Sequence, residues 1–337
     1  MSEGRPLVTV ILTTYNQAEF VGETLLSVIG QSYPHIQLII IDNASQDGTV
    51  AKIEAFLEEH PVAGFTRNSS NAGLCKAFNT GLASAEGKYV IDLSGDDIML
   101  PDRIEKQVAA FEKLPDHFVV VFSNARYLSA AGEVLHHHYQ TGKDGKAVGF
   151  VPQGDVYKQV LEKYFICTPT MMMRTHILRQ IGGYDETLSF EDFDFWVRTS
   201  VKYYYHYVDE VLTYKRITPN SLGTQVICKG SGILDSCYTV CNKAYDLNRD
   251  QEEFDLLAHR IRSFIRKCWY AQEFELAIKF RRLLNYIENP GLQTELIVFL
   301  CRLHIPINGL YRFYLRNIQK TGHSRKDLAF RFVSTES

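Results

Sequence analysis

The chain has 337 residues, 45% of them apolar and 22% charged, with a net charge of −3. That length suits one large α/β domain with an appendage, or two modest domains, and that charge gives no support for general nucleic-acid binding. Seven cysteines without a Cys-x-x-Cys pair fit a reduced compartment; with no leader pattern in MSEGRPLVTV and no apolar run of about 18 residues, the expectation is a cytoplasmic protein.

Leu7 to Leu12 is a β-branched run that predicts a strand, stopped by the polar TTYNQ. Apolar residues at Phe20, Val21, Leu25, Val28 and Ile29 then predict a helix ending near Gly30. Gln37 to Asp42 (QLIIID) predicts a second buried strand, cut by the turn-rich NASQDG. From Thr49 the spacing is helical again. GFTRN is a short third strand, GLCKAFNTGLASA a helix and KYVIDL a fourth strand. Strands that are apolar throughout and separated by helices imply a parallel sheet covered on both faces. Ligands bind such sheets beyond the carboxyl ends of the strands, so TTYN, DNASQDG and SGDD should meet at one crevice.

Further along, FVVVFSNARYL predicts a strand and HHHYQTGKDGKAVGFVPQGD a polar excursion. TMMMR (Thr170 to Arg174) reads as a core strand with Met171 and Met173 on one face, bordering an acceptor site, and a helix begins near Glu191. From about Ile233 the pattern is purely helical. Leu257, Ile261, Phe264, Ile265 and Cys268 share their spacing with Leu276, Phe280, Leu283, Leu284 and Ile287, which predicts an antiparallel helical pair ended by Pro290 and Gly291. A boundary near residue 225 divides the chain into 1–225, an α/β domain, and 226–337, a helical region.

Two carboxylate clusters stand out. In LSGDDIMLP the adjacent Asp96 and Asp97 repel each other among apolar neighbours, a cost that a divalent cation would remove; the competing reading is a solvated turn with Asp97 capping a helix near Pro101. In FEDFDFWVR, Glu191, Asp192 and Asp194 are interleaved with Phe190, Phe193, Phe195 and Trp196. Acids at a helix start suit the helix dipole. Aromatic neighbours also raise the proton affinity of a carboxylate, which suits a general base. Neither cluster decides the matter by itself.

VTVILTTYNQAEFVGETLLSVIGQSYPHIQLIIIDNASQDGT, NAGLCKAFNTGLASAEGKYVIDLSGDDIMLP and IGGYDETLSFEDFDFWVR, in this order, resemble the family 2 inverting glycosyltransferases over roughly residues 6 to 220. The resemblance implies the GT-A fold, a Rossmann-like αβα sandwich, and transfer of a sugar from a nucleotide-diphosphate sugar, foremost a UDP-sugar. The acceptor it implies is a glycan or lipid-linked hydroxyl in surface polysaccharide synthesis. It places Thr14 and Tyr15 against the nucleotide base and Asp42 on the base's ring N–H. Asn71 and Lys76 face the nucleotide, with Lys76 offsetting diphosphate charge. The Asp-x-Asp metal motif falls on Ser94 to Asp96, so Asp96 is the ligand for Mn²⁺ or Mg²⁺, with Asp97 beside it. Asp192 takes the place of the catalytic base, supported by Glu191.

The chain departs from that pattern at Thr13 (commonly proline), Ser94 (aspartate), Phe78 (arginine) and Thr218 (histidine). The departures at Ser94 and Thr218 keep open a catalytically weak nucleotide-sugar-binding module. A sugar nucleotidylyltransferase, the enzymatic rival, would show a glycine-rich basic loop after the first strand, and TTYNQAEF has none. His136 to His138 sit too close in sequence to converge on an ion, and Cys167 reads as a buried thiol. Between Leu296 and Lys326 lie six Lys or Arg and no Asp or Glu. That basic, aromatic stretch suits peripheral contact with the inner face of a membrane, and equally a helical packing or homo-oligomer interface.

Overall fold

The computed structural model describes residues 4–307 except 62, 219–222 and 224; Pro219 to Leu222 and the tail beyond residue 307 lie outside the described residues. Contacts divide the chain into two compact units, one of residues 4–156, 166–192 and 202–218, the other of 157–165, 193–201 and the described residues after 222.

In the first unit, strand β1 (Val8–Thr14) is buried along its whole length, which fits its uncharged, β-branched sequence. Helix α1 (Val21–Ile29) buries Val21, Thr24, Leu25 and Val28, one face of a 3.6-residue period. Strand β2 (Ile36–Asp42), helix α2 (Thr49–Glu59), strand β3 (Ala63–Arg67), helix α3 (Leu74–Ala83) and strand β4 (Tyr89–Ser94) follow. β1 runs parallel to β2 on one side and β4 on the other, and β2 parallel to β3. The chain thus reverses its winding direction at β1, the topology that opens a crevice at the strands' carboxyl ends.

A two-residue strand, β5 (Ile98–Met99), precedes helix α4 (Arg103–Phe111). The loop after β4 therefore does not run straight into a helix at Pro101, and Asp97 caps none. Strands β6 (Phe118–Ser129) and β7 (Val134–His137), helix α5 (Tyr157–Glu162), strand β8 (Met172–Arg174), helices α6 (Thr175–Gln180) and α7 (Asp192–Ser200) and strand β9 (Tyr204–Ile217) follow in the chain, α5 and α7 beyond Asp192 belonging to the second unit. Thr168–Thr170 form a 3₁₀ turn, which shortens the strand expected over TMMMR. Among the described residues nine strands make one sheet in the order β3-β2-β1-β4-β8-β6-β9-β5, with β7 on β6. β8 is antiparallel to β4 and β6, and β9 parallel to β6.

Val10, Leu12, Ile40, Ile91 and Leu93 pack in one core with Leu25, Val28, Ile53, Ile104, Val108 and Phe111 of α1, α2 and α4. Each such side chain, fully buried, contributes roughly 1.5–3 kcal/mol. α3 packs on β1 and β2 so closely that a Cβ on Gly81 would lie 2.5 Å from Ile11 Cγ2. Gly87 is tighter still. A Cβ there would lie 2.5 Å from the Thr9 amide nitrogen and 2.6 Å from the Tyr89 carbonyl oxygen, and backbone cannot swing aside. Gly87→Ala should therefore destabilise the fold by about 2 kcal/mol or more, read as a lower midpoint in urea; an unchanged midpoint would show that β1 and β4 approach less closely.

The second unit is helical: α5, most of α7, α8 (Ile233–Leu247), α9 (Gln251–Ala271), α10 (Phe274–Leu284) and α11 (Leu292–Arg302). The expected pair is α9 and α10. Phe264 stacks on Phe280 at 5.5 Å, two residues equidistant from the turn, as antiparallel packing requires. α9 starts at Asp250, whose carboxylate accepts the Glu253 amide at 2.9 Å. Ile287 lies beyond the end of α10, half-buried.

Candidate active site

Strand register builds the site. Thr14 pairs with Asp42, and Thr13 with Ser94, so the loops after β1, β2 and β4 leave the sheet side by side. The first two are laced together. The Asn16 amide donates to Ser45 Oγ (2.9 Å), the Gln46 amide to Asn16 Oδ1 (2.8 Å) and the Gln17 amide to Thr49 Oγ1 (2.9 Å). Asn16 and Ala44 take left-handed backbone conformations, φ 52° and 67°, uncommon for residues with a Cβ and frequent at functional turns.

Asp42 is fully buried. Its Oδ2 accepts the Ser45 amide at 3.0 Å, and Arg67 Nε lies 4.0 Å away. Asp42 Oδ1, Thr14 Oγ1 and Gln17 Oε1 are buried with no hydrogen-bond partner. Buried acceptors left unpaired cost about 1–3 kcal/mol each, so three of them at the carboxyl ends of β1 and β2 mark a place where a ligand's donors are expected. Tyr15 beside them is 43% exposed, a free ring face for a flat ligand.

Asn43, which spacing did not single out, organises the next loop. Its Nδ2 donates to Asn71 Oδ1 (2.8 Å), and its Oδ1 accepts the Ala72 amide (3.0 Å) and Asn68 Nδ2 (3.1 Å). These bonds tie Asn71 to the end of β2. Lys76 is exposed on the first turn of α3. Phe78 is fully buried and stacks on Tyr184 at 4.3 Å, so its ring belongs to the core.

In the loop after β4 the two aspartates part company. Asp97 is buried, and its Oδ1 accepts the Arg216 amide of β9 at 3.0 Å. Burial, then the Asp96 charge, push its carboxyl up to about 8. Asp96 is half-buried; its Oδ1 accepts Ser94 Oγ at 2.6 Å, and Gln17 Nε2 donates to Ser94 Oγ at 3.2 Å. Among the described residues Asp96 Oδ2 accepts no hydrogen bond. One unencumbered carboxylate oxygen with a hydroxyl beside it fits a hard divalent cation that takes its other ligands from a diphosphate. No group of three or more His, Cys, Asp or Glu among the described residues gathers into a metal site of its own.

Asp192 opens α7 half-buried, and Thr168 Oγ1 donates to its Oδ2 at 3.2 Å. Glu191 is buried, and burial, then the charges of Asp192 and Asp92, hold its carboxyl well above the usual carboxylate range. Asp194 is occupied otherwise: Arg198 Nε and Lys243 Nζ each approach it to 2.6 Å.

Asp92, on β4, has its carboxyl pushed up to about 7 by burial, with the Tyr184 hydroxyl pulling it back. An unfolded aspartate titrates near 3.9. The folded protein therefore binds the extra proton between about 4 and 7, and stability is lost as pH rises through that window. Asp92→Asn should remove that loss. Its melting temperature should gain on the wild type by about 2 °C or more between pH 4.5 and pH 8; a constant difference would mean Asp92 ionises at no cost.

Lys215, on β9, faces both acid clusters. Burial works against its ammonium, but the Cys167 sulfur, Asp97, Asp192 and Asp96 around it hold it above the ordinary lysine range. The Cys167 thiol is itself pushed up to about 11, chiefly by burial, so it is no nucleophile at neutral pH. Met171 and Met173 are buried. His136 and His137 belong to β7 and His138 follows it: His136 stacks on Tyr127 at 4.5 Å, His137 Nε2 accepts from Arg126 Nε at 2.9 Å, and His138 Nδ1 lies 3.1 Å from Tyr127 Oη.

Residues 9–182, more than half of the chain, match the family model described as glycosyl transferase family 2. The chain belongs to glycosyl transferase family 2. It is 29% identical over 224 residues to an uncharacterized glycosyltransferase of Methanocaldococcus jannaschii, 64% of this chain and 72% of that one. The chain spans between 61% and 72% of the length of three such curated relatives. Among solved structures, S. aureus TarS 1–349 in complex with UDP-GlcNAc superposes with a TM-score of 0.60 at 15% identity, covering 91% of each chain. The mannosyltransferase PcManGT from Pyrobaculum calidifontis, in complex with GDP-Man and Mn²⁺, gives 0.55 at 17% identity, covering 88% of this chain and 79% of that one. At such identities the likeness concerns the fold, which is the expected GT-A architecture followed by helices. A family 2 transferase is the result, and no helix among its described residues is long and apolar enough to cross a membrane.

Proposed function

We propose that this transferase moves a sugar, with inversion, from a nucleotide-diphosphate sugar to a hydroxyl of a glycan or lipid-linked acceptor in surface polysaccharide synthesis. One observation carries the reading: acids from the loop after β4 and from the start of α7 act on the same β9 side chain, Lys215, which supports a leaving-group site and a base close to one another. The unpaired Asp42 Oδ1 supports a base with a ring N–H, such as uracil or thymine, with Tyr15 stacking on it and Thr14 alongside. Asn71 and Lys76 border the nucleotide, and Ser94 its ribose.

In this reading Asp192, oriented by Thr168, takes the proton from the acceptor hydroxyl. The oxygen attacks the anomeric carbon from the face opposite the nucleotide. The bond to the diphosphate oxygen breaks, and its electron pair leaves with the nucleotide. Burial of Glu191 raises its proton affinity, which disfavours a second charge beside Asp192. Asp96, with Asp97 beside it, would hold Mn²⁺ or Mg²⁺, which when bound takes up charge on the diphosphate.

Residues 1–225 would carry this chemistry and 226–337 an accessory role at the inner face of the membrane. The exposed Leu296 and Phe299 of α11 and Leu303 just after it support such peripheral contact, or a homo-oligomer. Purified protein should release nucleoside diphosphate from one member of a panel of UDP- and GDP-sugars when Mn²⁺ and a glycan acceptor are supplied. Pyrophosphate release from a nucleoside triphosphate and a sugar 1-phosphate, supplied in place of the donor, would instead make it a nucleotidylyltransferase, and donor binding without turnover a binding module.

A further inference from the structure

Cations near the strands' carboxyl ends are mostly committed. Arg216 Nη2 pairs with Glu23 at 2.6 Å, its guanidinium lies 4.8 Å from the Phe20 ring centre, and its Nε donates to the Asp96 carbonyl at 3.3 Å. Arg103 is fully buried and donates to Gln107 Oε1 and the Met171 carbonyl, both at 3.1 Å. Arg67 faces Asp42. Position 78 holds a core ring and position 218 a threonine, so neither adds positive charge.

Lys215 differs from all of these. It is half-buried on β9, opposite Tyr127 of β6. Successive strand residues point to opposite faces, so it projects away from the side on which Arg216 meets Glu23 and Phe20. Asp96, Asp97, Asp192 and Cys167 all bear on its ammonium. Yet among the described residues it forms no hydrogen bond and no ion pair within 4 Å. An ammonium under the charges of three acids that closes on none of them remains available to a further anion, and the reaction proposed above brings a departing diphosphate to the same acids.

We infer that Lys215 is a phosphate-binding cation, its Nζ contacting the diphosphate of the donor and of the departing nucleotide. An ammonium fixed in advance of the reaction, in a site shielded from water, stabilises developing charge far better than one in bulk solvent. It leaves the bond-breaking step otherwise unchanged: the electron pair still departs on the diphosphate oxygen, and Lys215 keeps its proton.

This inference rests on the transferase reading, and the test separates the two. Binding of UDP and GDP, and of the matching nucleosides, is measured by calorimetry on the full chain, with Mn²⁺ and with chelator, for wild type, Lys215→Met and Lys215→Arg. Wild type should bind one nucleotide. Lys215→Met should weaken that nucleotide at least 10-fold in both conditions and leave the nucleoside within 2-fold, which also reports that the variant is folded. Lys215→Arg should recover most of the loss. Equal nucleotide affinity in Lys215→Met, or a loss seen only with Mn²⁺, overturns the phosphate contact while the transferase reading stands. A wild type that binds neither nucleotide overturns both.

Discussion

Asparagine in place of Asp192 should lower turnover by about 10²–10⁴-fold, the range a general base contributes, and leave donor affinity within several-fold. Asparagine keeps the shape and can still accept the Thr168 hydroxyl, which lies 3.2 Å from Asp192 Oδ2, so the start of α7 should survive. What disappears is the basic oxygen. The neighbouring acid adds a second signature. Burial, then the Asp192 charge, hold the Glu191 carboxyl well above the usual carboxylate range; without that charge it ionises at lower pH and offers a misplaced substitute base. Residual turnover in Asp192→Asn should therefore climb with pH and vanish in the double variant with Glu191→Gln. Loss of donor binding together with turnover would instead make Asp192 a structural residue, and unchanged turnover would remove it from the chemistry.

The first half of this arrangement could be read from sequence because it is local. Runs such as QLIIID, apolar on both faces and ended by turn residues, can only be inner strands of a covered sheet, and β2 appears one residue longer than expected. Parallel inner strands fix where their polar ends must gather, which is why Thr14, Asp42 and Ser94 came out as neighbours.

What periodicity cannot reveal is long-range pairing. Asn43 is one polar residue among several in IDNAS, and its bonds to Asn71, Ala72 and Asn68 span 25 to 29 positions. Asp97 looked like a turn or metal residue because its partner, the Arg216 amide, lies 119 positions away. Lys215 went unremarked for the same reason. In YKRITPNSL it is an ordinary strand lysine, and only the return of β9 beside β6 sets it among the acids. The two-residue β5 was missed too, since Ile98 and Met99 are too few to show a period.

Asp96→Ala should cut turnover by about 10²–10³-fold, the scale of losing one major stabiliser of transition-state charge, and should erase the dependence of donor affinity on Mn²⁺ or Mg²⁺. The adjacent residue supplies the control. Asp97 Oδ1 accepts the Arg216 amide, a bond that asparagine preserves, whereas Asp96 Oδ2 has no partner among the described residues and is the oxygen open to an ion. Asp97→Asn should therefore stay metal-dependent and keep most of its turnover. If both variants fall together, the two carboxylates share the ion. If wild-type donor affinity is the same with chelator as with Mn²⁺, the diphosphate is neutralised by protein cations alone. The charge released on bond breaking would then rest on Lys215, the ammonium that the acids of β4 and α7 surround.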